Sequence, residues 1–317
     1  MPSPTPTPPH SSRTTILPSG TTLHIWKPTA TRGPPRASII LQHGFAEYAT
    51  RYHSSHHELI THLLGAHYAV YALDLWGHGA SPGAKGVLHV GRAVRDYGVV
   101  RGIVGAVEEE EEEEEKEKEK EKRDQEASKT PVILFGHSLG GLVVAGSVVA
   151  SLDNDKDDVV VPAPMGVILT GPSLPPATSR LGRALVGLVA AVAPAACVWP
   201  RKQVAVDGLT RVEAELEKHG RDEGCYKGGY SWLLAATALD VMDGVRRGLG
   251  RWVVPTLVLH GDADPYCDWR ASEEFVAKIA AEDKTLRVVE EGRHELLHDV
   301  EGSVVLKQVL QWIESHI

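Results

Sequence analysis

Val132-Ile133-Leu134-Phe135-Gly136-His137-Ser138-Leu139-Gly140 is the stretch that decides the fold. An apolar run suited to a buried strand leads into a pentad of the form G-x-S-x-G, and the apolar helical pattern Leu142-Val143-Val144-Ala145 follows. A serine on a sharp strand-to-helix turn has strained backbone angles, and glycines on either side remove side chains that would collide there. The turn lifts the hydroxyl above the sheet edge. It also sets the next backbone N–H at a helix N-terminus, where negative charge is favoured. A turn with an incidental serine would not need strand, pentad and helix together.

Outward from that stretch, short apolar runs alternate with helical patterns, the signature of an α/β chain with a mostly parallel sheet and helices on both faces. Strands are expected at 38–42, 69–73, 132–135, 166–170, 256–260 and 286–289, and helices at 56–64, 91–107, 140–152, 273–281 and 304–315. Before them, 14–17 and 22–26 flank Pro18-Ser19-Gly20 and suggest an antiparallel hairpin. Two segments break the alternation. Residues 108–129 are almost pure Glu and Lys, extend the preceding helix, and suit a tolerated surface insertion better than a docking tail. Residues 172–251 are too long for an ordinary connection and suit an inserted helical cap. Within the cap, 183–199 carries the apolar stripe Leu185, Leu188, Val189 and Val192, with Pro194 expected to kink or end the helix. The core domain is then 13–171 plus 252–317.

A serine alcohol is a weak nucleophile and needs a base, an orienting acid and an oxyanion site. In this topology the acid and then the base follow later strands. After 256–260 comes Gly261-Asp262-Ala263-Asp264, which offers Asp264 or, less well, Asp262; after 286–289 comes Glu290-Glu291-Gly292-Arg293-His294. Position in this order singles out His294 among sixteen histidines. The first parallel strand runs into His43-Gly44-Phe45, so the N–H groups of Phe45 and Leu139 are the candidate oxyanion donors. His43, Leu185, Leu188 and Cys267 are the candidates for substrate contact.

The formal charge is −9, but residues 108–126 hold thirteen acids against five bases, a net of −8. The folded body is therefore near neutral and shows no basic footprint for nucleic acid. Three scattered cysteines argue against a disulfide framework and for a reducing, cytoplasmic setting. Residues 1–12, rich in Pro, Ser and Thr, have neither signal-peptide region and are expected to lack fixed structure. No apolar run reaches the roughly 18 residues needed to span a bilayer.

Five motifs carry a closer resemblance: HGFAEYATRY (43–52), ALDLWGHGASPG (72–83), GHSLGG (136–141), HGDADPYCD (260–268) and EGRHELLHD (291–299). In order and over most of the chain, they resemble the monoacylglycerol lipase and lysophospholipase branch of the α/β-hydrolases, the serine aminopeptidase-like hydrolases. The resemblance implies an α/β-hydrolase fold, a Ser138–Asp264–His294 triad, lipid-like ester substrates and no cofactor. It also implies a lid that contacts membranes or lipid droplets. The Glu/Lys insertion and the later cap depart from the family pattern, which leaves the acyl preference open. A carboxylesterase, a lactonase, an acyltransferase or a slow-turnover receptor on the same fold are the alternatives.

His294-Glu295-Leu296-Leu297-His298 also has the H-E-x-x-H form of zinc peptidases. That motif needs a long helix and a third ligand, whereas here it follows a short strand and Gly292, so no metal is expected. His53, His56 and His57 are expected at a solvated helix start.

Overall fold

The computed structural model describes residues 9–29, 33–119, 130–153, 163–198 and 206–317. Its strands are β1 (His10–Ile16), β2 (Thr22–Pro28), β3 (Ala37–Gln42), β4 (Tyr68–Leu73), β5 (Val132–His137), β6 (Gly166–Thr170), β7 (Thr256–Gly261) and β8 (Lys284–Val289). Among the described residues they form one sheet in the order β1-β2-β4-β3-β5-β6-β7-β8. The first two pairings, β1 with β2 and β2 with β4, are antiparallel, and the rest are parallel.

The helices are α1 (Leu59–Gly65), α2 (Val90–Glu119), α3 (Leu139–Asp153), α4 (Arg180–Val192), α5 (Glu213–Arg221), α6 (Trp232–Gly248), α7 (Trp269–Lys278) and α8 (Gly302–Glu314). Side chains alternate across a strand, so an all-apolar strand must be covered twice. Ile40, Leu134, Val167, Leu169 and Val258 pack with residues of α2, α3 and α6. Their neighbours Ile39, Leu41, Ile133, Phe135, Ile168 and Leu257 pack with α1 and α8. This is an α/β-hydrolase sheet, helices on both faces, with the α4–α6 region inserted between β6 and β7.

Several boundaries differ from the sequence expectation. β1 begins at His10, so residues 10, 11 and 12 pair with Pro28, Lys27 and Trp26 in the hairpin instead of joining a loose tail. Their polar sequence gave no strand signal because β1 is an exposed sheet edge. The expected helix at 56–64 is shortened: His56, His57 and Glu58 are left-handed, with φ of 54, 51 and 52°, and α1 starts only at Leu59. α2 does run into the glutamate tract, and residues 120–129 of that insertion lie outside the described residues. α4 ends at Val192, because Ala193, kept out of the helical region ahead of Pro194 with φ −136° and ψ 60°, leaves the helix. α7 starts four residues earlier than expected, at Trp269, where the Asp268 carboxylate caps the Arg270 N–H at 3.0 Å.

Candidate active site

Ser138 sits between β5 and α3 with φ 53°, a left-handed angle that costs a non-glycine residue about 1–3 kcal/mol. The turn is pinned: Ser138 N–H donates to the Thr170 carbonyl at 3.0 Å, and the Ser138 carbonyl accepts from Gly141 and Ser173 N–H at 2.9 Å each. A Cβ on Gly136 would lie 2.8 Å from the Gly140 carbonyl oxygen, so no side chain fits the elbow.

β7 and β8 deliver the other two groups to the same carboxyl edge. His294 Nε2 lies 2.8 Å from Ser138 Oγ, and Nδ1 lies 2.7 Å from Asp264 Oδ2. An ionised carboxylate only accepts, so Nδ1 carries the proton and the Nε2 lone pair faces the serine hydroxyl. Asp264 Oδ1 accepts from the N–H of Tyr266 at 2.8 Å and of Cys267 at 3.0 Å. Burial would raise the Asp264 carboxyl, but the His294 charge and the hydrogen bonds from His260 and His294 hold it well below the usual carboxylate range. Burial likewise works against a charged His294, yet Asp264 outweighs it and holds the imidazole above its ordinary value. Asp262, the other acid weighed from sequence, is not joined to His294; Asp264 is.

Phe45 lies in the loop after β3. Gly44 N–H donates to Glu47 Oε1 at 2.7 Å and Ala46 N–H to His78 Nε2 at 3.1 Å. Between them the Phe45 N–H has no acceptor among the described residues, nor does that of Leu139, the first residue of α3.

The substrate-contact candidates fare differently. His43 is fully buried; its Nδ1 donates to the Gly44 carbonyl at 2.7 Å and its Nε2 accepts from Leu75 N–H at 3.0 Å. With both nitrogens occupied, it holds the loop and does not face a substrate. Leu185 and Leu188 are 60% and 63% exposed and, with Leu181 and Val192, form an outward apolar stripe on α4, so they do not line a closed pocket. Cys267 does reach the triad, its thiol lying against Ser173 and Ser138; burial, then the Asp264 charge, pushes that thiol up. A neutral thiol is a poor nucleophile. Tyr266, not foreseen, sets its ring edge-on to His294 at 5.1 Å.

The larger omission is a buried charged cluster behind the triad. Arg51 Nη1 donates to Glu47 Oε2 at 3.0 Å and Glu295 Oε1 at 2.9 Å, and Nη2 to Glu295 Oε2 at 3.2 Å. Tyr52 Oη donates to Glu47 Oε1 at 2.8 Å, and His56 stacks between Tyr52 and His298 with centroids at 3.9 and 4.0 Å. His56 is therefore buried, not at a solvated helix start. His298 Nδ1 engages Glu295 while His294 turns to Ser138, so the two histidines of H-E-x-x-H do not face a common ion. His56, Glu295 and His298 come close enough to share a cation, but the Arg51 guanidinium already supplies positive charge to that carboxylate. The only sequence signal for the cluster was the Glu47/Arg51 spacing of one helical turn.

A hydroxyl, an imidazole and a carboxylate joined in this order at the carboxyl edge of such a sheet define the class: a serine hydrolase on the α/β-hydrolase fold. A family model, Serine aminopeptidase, S33, matches residues 33–301, and the chain belongs to that family. It is 28% identical over 295 residues to the human monoglyceride lipase, covering 92% of this chain and 85% of that protein. The monoacylglycerol lipase of Mycolicibacterium smegmatis is 26% identical over 92% of each chain. Among solved structures, the Paleococcus ferrophilus monoacylglycerol lipase superposes with a TM-score of 0.70 at 26% identity, covering 94% of this chain and 99% of that one. A soluble variant of the Saccharomyces cerevisiae monoglyceride lipase shares the fold, with a TM-score of 0.71 at 18% identity over 99% and 98% of the chains.

Proposed function

We propose that this protein hydrolyses carboxylic esters of lipid-like substrates, in the manner of a monoacylglycerol lipase or lysophospholipase. His294 takes the Ser138 proton as Oγ bonds to the ester carbonyl carbon, and Asp264 holds the imidazole tautomer and stabilises the imidazolium. The N–H groups of Phe45 and Leu139 receive the oxyanion. His294 then gives its proton to the leaving alcohol as the ester C–O bond breaks, leaving an acyl-serine. A water loses its proton to His294, attacks the acyl carbon, and the acid departs as the proton returns to Ser138.

The observation that carries this reading is the His294 imidazole, 2.8 Å from Ser138 Oγ on one side and 2.7 Å from Asp264 on the other. Support for a lipid-like ester comes from the names of the relatives and from the outward apolar stripe of α4, suited to a membrane or lipid-droplet surface. Among the described residues no helix is long and apolar enough to cross a membrane. The test is a panel of p-nitrophenyl esters and monoacylglycerols of graded chain length, with a fluorophosphonate probe to tag the reactive serine. Ser138→Ala should lower turnover at least about a thousandfold with an unchanged circular dichroism spectrum. Near wild-type turnover in that variant refutes the assignment.

A further inference from the structure

Asp264 is approached by two histidines. The second, His260, is fully buried at the end of β7. Its Nε2 lies 3.2 Å from Asp264 Oδ2 and 3.0 Å from the Cys267 carbonyl oxygen. Both are acceptors, so Nε2 must carry a proton. Its Nδ1 lies 2.7 Å from Ser272 Oγ, on α7, which fixes the ring in that orientation. The oxygen that orients His294 is thus shared between two imidazole N–H groups, while the other oxygen is occupied by two backbone N–H groups.

We propose that His260 is a positioning residue of the hydrolase site: its Nε2–H aims the Asp264 oxygen at His294 and, by sharing that oxygen, limits how strongly Asp264 stabilises the His294 imidazolium. This rests on the serine hydrolase reading above. A hydrogen bond to a carboxylate favours the anion and drains charge from the accepting oxygen. Without His260 that oxygen turns more basic and is less tightly aimed. The imidazolium becomes easier to form, while the base is held less well against Ser138. The other groups facing His294 stay in place: Ser138 and His137 from β5 and the elbow, Cys267 and Tyr266 after β7, and the Glu295 and Glu47 charges behind it. A core-filling role for His260 would leave the titration of His294 where it is.

The test compares His260→Leu, which has no donor, with His260→Gln, whose amide can reach the same oxygen. Two quantities are read: the His294 titration by NMR of protein with 15N-labelled histidine, and the pH profile of kcat/KM per fluorophosphonate-titrated site. In the leucine variant the His294 midpoint should rise by about half a pH unit or more, and the per-site rate at neutral pH should fall about tenfold. Glutamine should restore most of both. An unmoved midpoint in the leucine variant, or an equal shift with glutamine, overturns the proposal. Should the leucine variant not fold, Ser272→Ala frees the ring while keeping it; a smaller rise in the midpoint is expected, and none overturns the idea. Failure of the hydrolase reading would look different, with no turnover by the wild type and the NMR shift intact.

Discussion

Arg51→Met takes the one guanidinium out of the buried cluster and leaves Glu47 and Glu295 behind. Arg51, Glu47 and Glu295 are 3%, 3% and 5% exposed, so water cannot replace the lost partner. Burial alone would raise the Glu295 carboxyl, and Arg51 is the largest influence holding it well below the usual range. For Glu47 burial is offset by His56 and by Arg51. Yet burial pushes His56 itself down to about 3, so near neutrality the standing cation opposite Glu47 is Arg51. Removing one partner of a buried ion pair costs roughly 3–5 kcal/mol, which in a chain of this size corresponds to a fall in Tm of about 5–8 °C. The sign of the pH dependence follows from linkage. In the wild type the depressed carboxyls stabilise the fold above their unfolded pKa, near about 4.3, and that contribution is lost as pH falls through their folded values. In the variant the same carboxyls must bind protons to stay buried, so its stability declines as pH rises. The gap between the two proteins should therefore widen from pH 5 to pH 8 in urea unfolding followed by tryptophan fluorescence. Adding Glu47→Gln and Glu295→Gln should recover much of the loss. A gap below about 1 kcal/mol, or one independent of pH, refutes this account.

The acid limb of the kcat/KM profile should have its midpoint above 6.5, because His294 is held above that ordinary value and must be neutral to accept the serine proton; a midpoint below 6.5 contradicts it. Gly140→Ala should abolish fluorophosphonate labelling or soluble expression, since its Cβ would lie 2.2 Å from the Gln42 carbonyl oxygen and 2.5 Å from that of His43. Gly187→Ala on α4, with nothing within 4 Å, should instead stabilise by about 0.5–1 kcal/mol, and normal labelling in Gly140→Ala would dispose of the contrast. Leu185→Ser with Leu188→Ser should leave hydrolysis of monomeric p-nitrophenyl acetate unchanged and lower the rate on micellar monoacylglycerol at least about fivefold; equal rates on both contradict a lipid-docking role for the stripe.

The inner strands were legible because burial on both faces leaves them almost wholly apolar, so β3 to β7 stand out within a residue or two. The triad was legible for a different reason: topology orders its members along the chain, and position does what residue type cannot. Elements at the sheet margin were not. β1 is polar because its neighbours are solvent on one side and β2 on the other, and nothing in His10-Ser11-Ser12 marks a strand. The start of α7 carries a local signal, the capping Asp268 ahead of Trp269. His260 was hidden because a histidine inside a strand reads as a chance polar substitution until its partners 264 and 272 are in space. The Glu47–Arg51–Glu295 cluster was hidden most deeply. Charged residues read as surface in any composition-based scheme, and only tertiary pairing reveals that these are buried.

That cluster also bears on how the site keeps its geometry. Glu47 accepts from Gly44 N–H, beside the Phe45 donor, and reaches through Arg51 to Glu295, beside His294. The loop that carries Phe45 and the loop that carries His294 are thus tied by hydrogen bonds that have direction as well as strength. Packed leucines in the same volume could match their stability but would fix no angle between the loops. Backbone strain follows the same map. Among the described residues, seven non-glycine residues have positive φ; six (Ala46, His56, His57, Glu58, Ser138 and Glu291) lie in or beside the loops that carry these groups, and only His67 does not. Strained conformations persist where surrounding contacts over-determine them. Here those contacts are of two kinds: backbone hydrogen bonds to Thr170, Gly141 and Ser173 hold the Ser138 turn, and Glu47, Tyr52 and His298 hold His56.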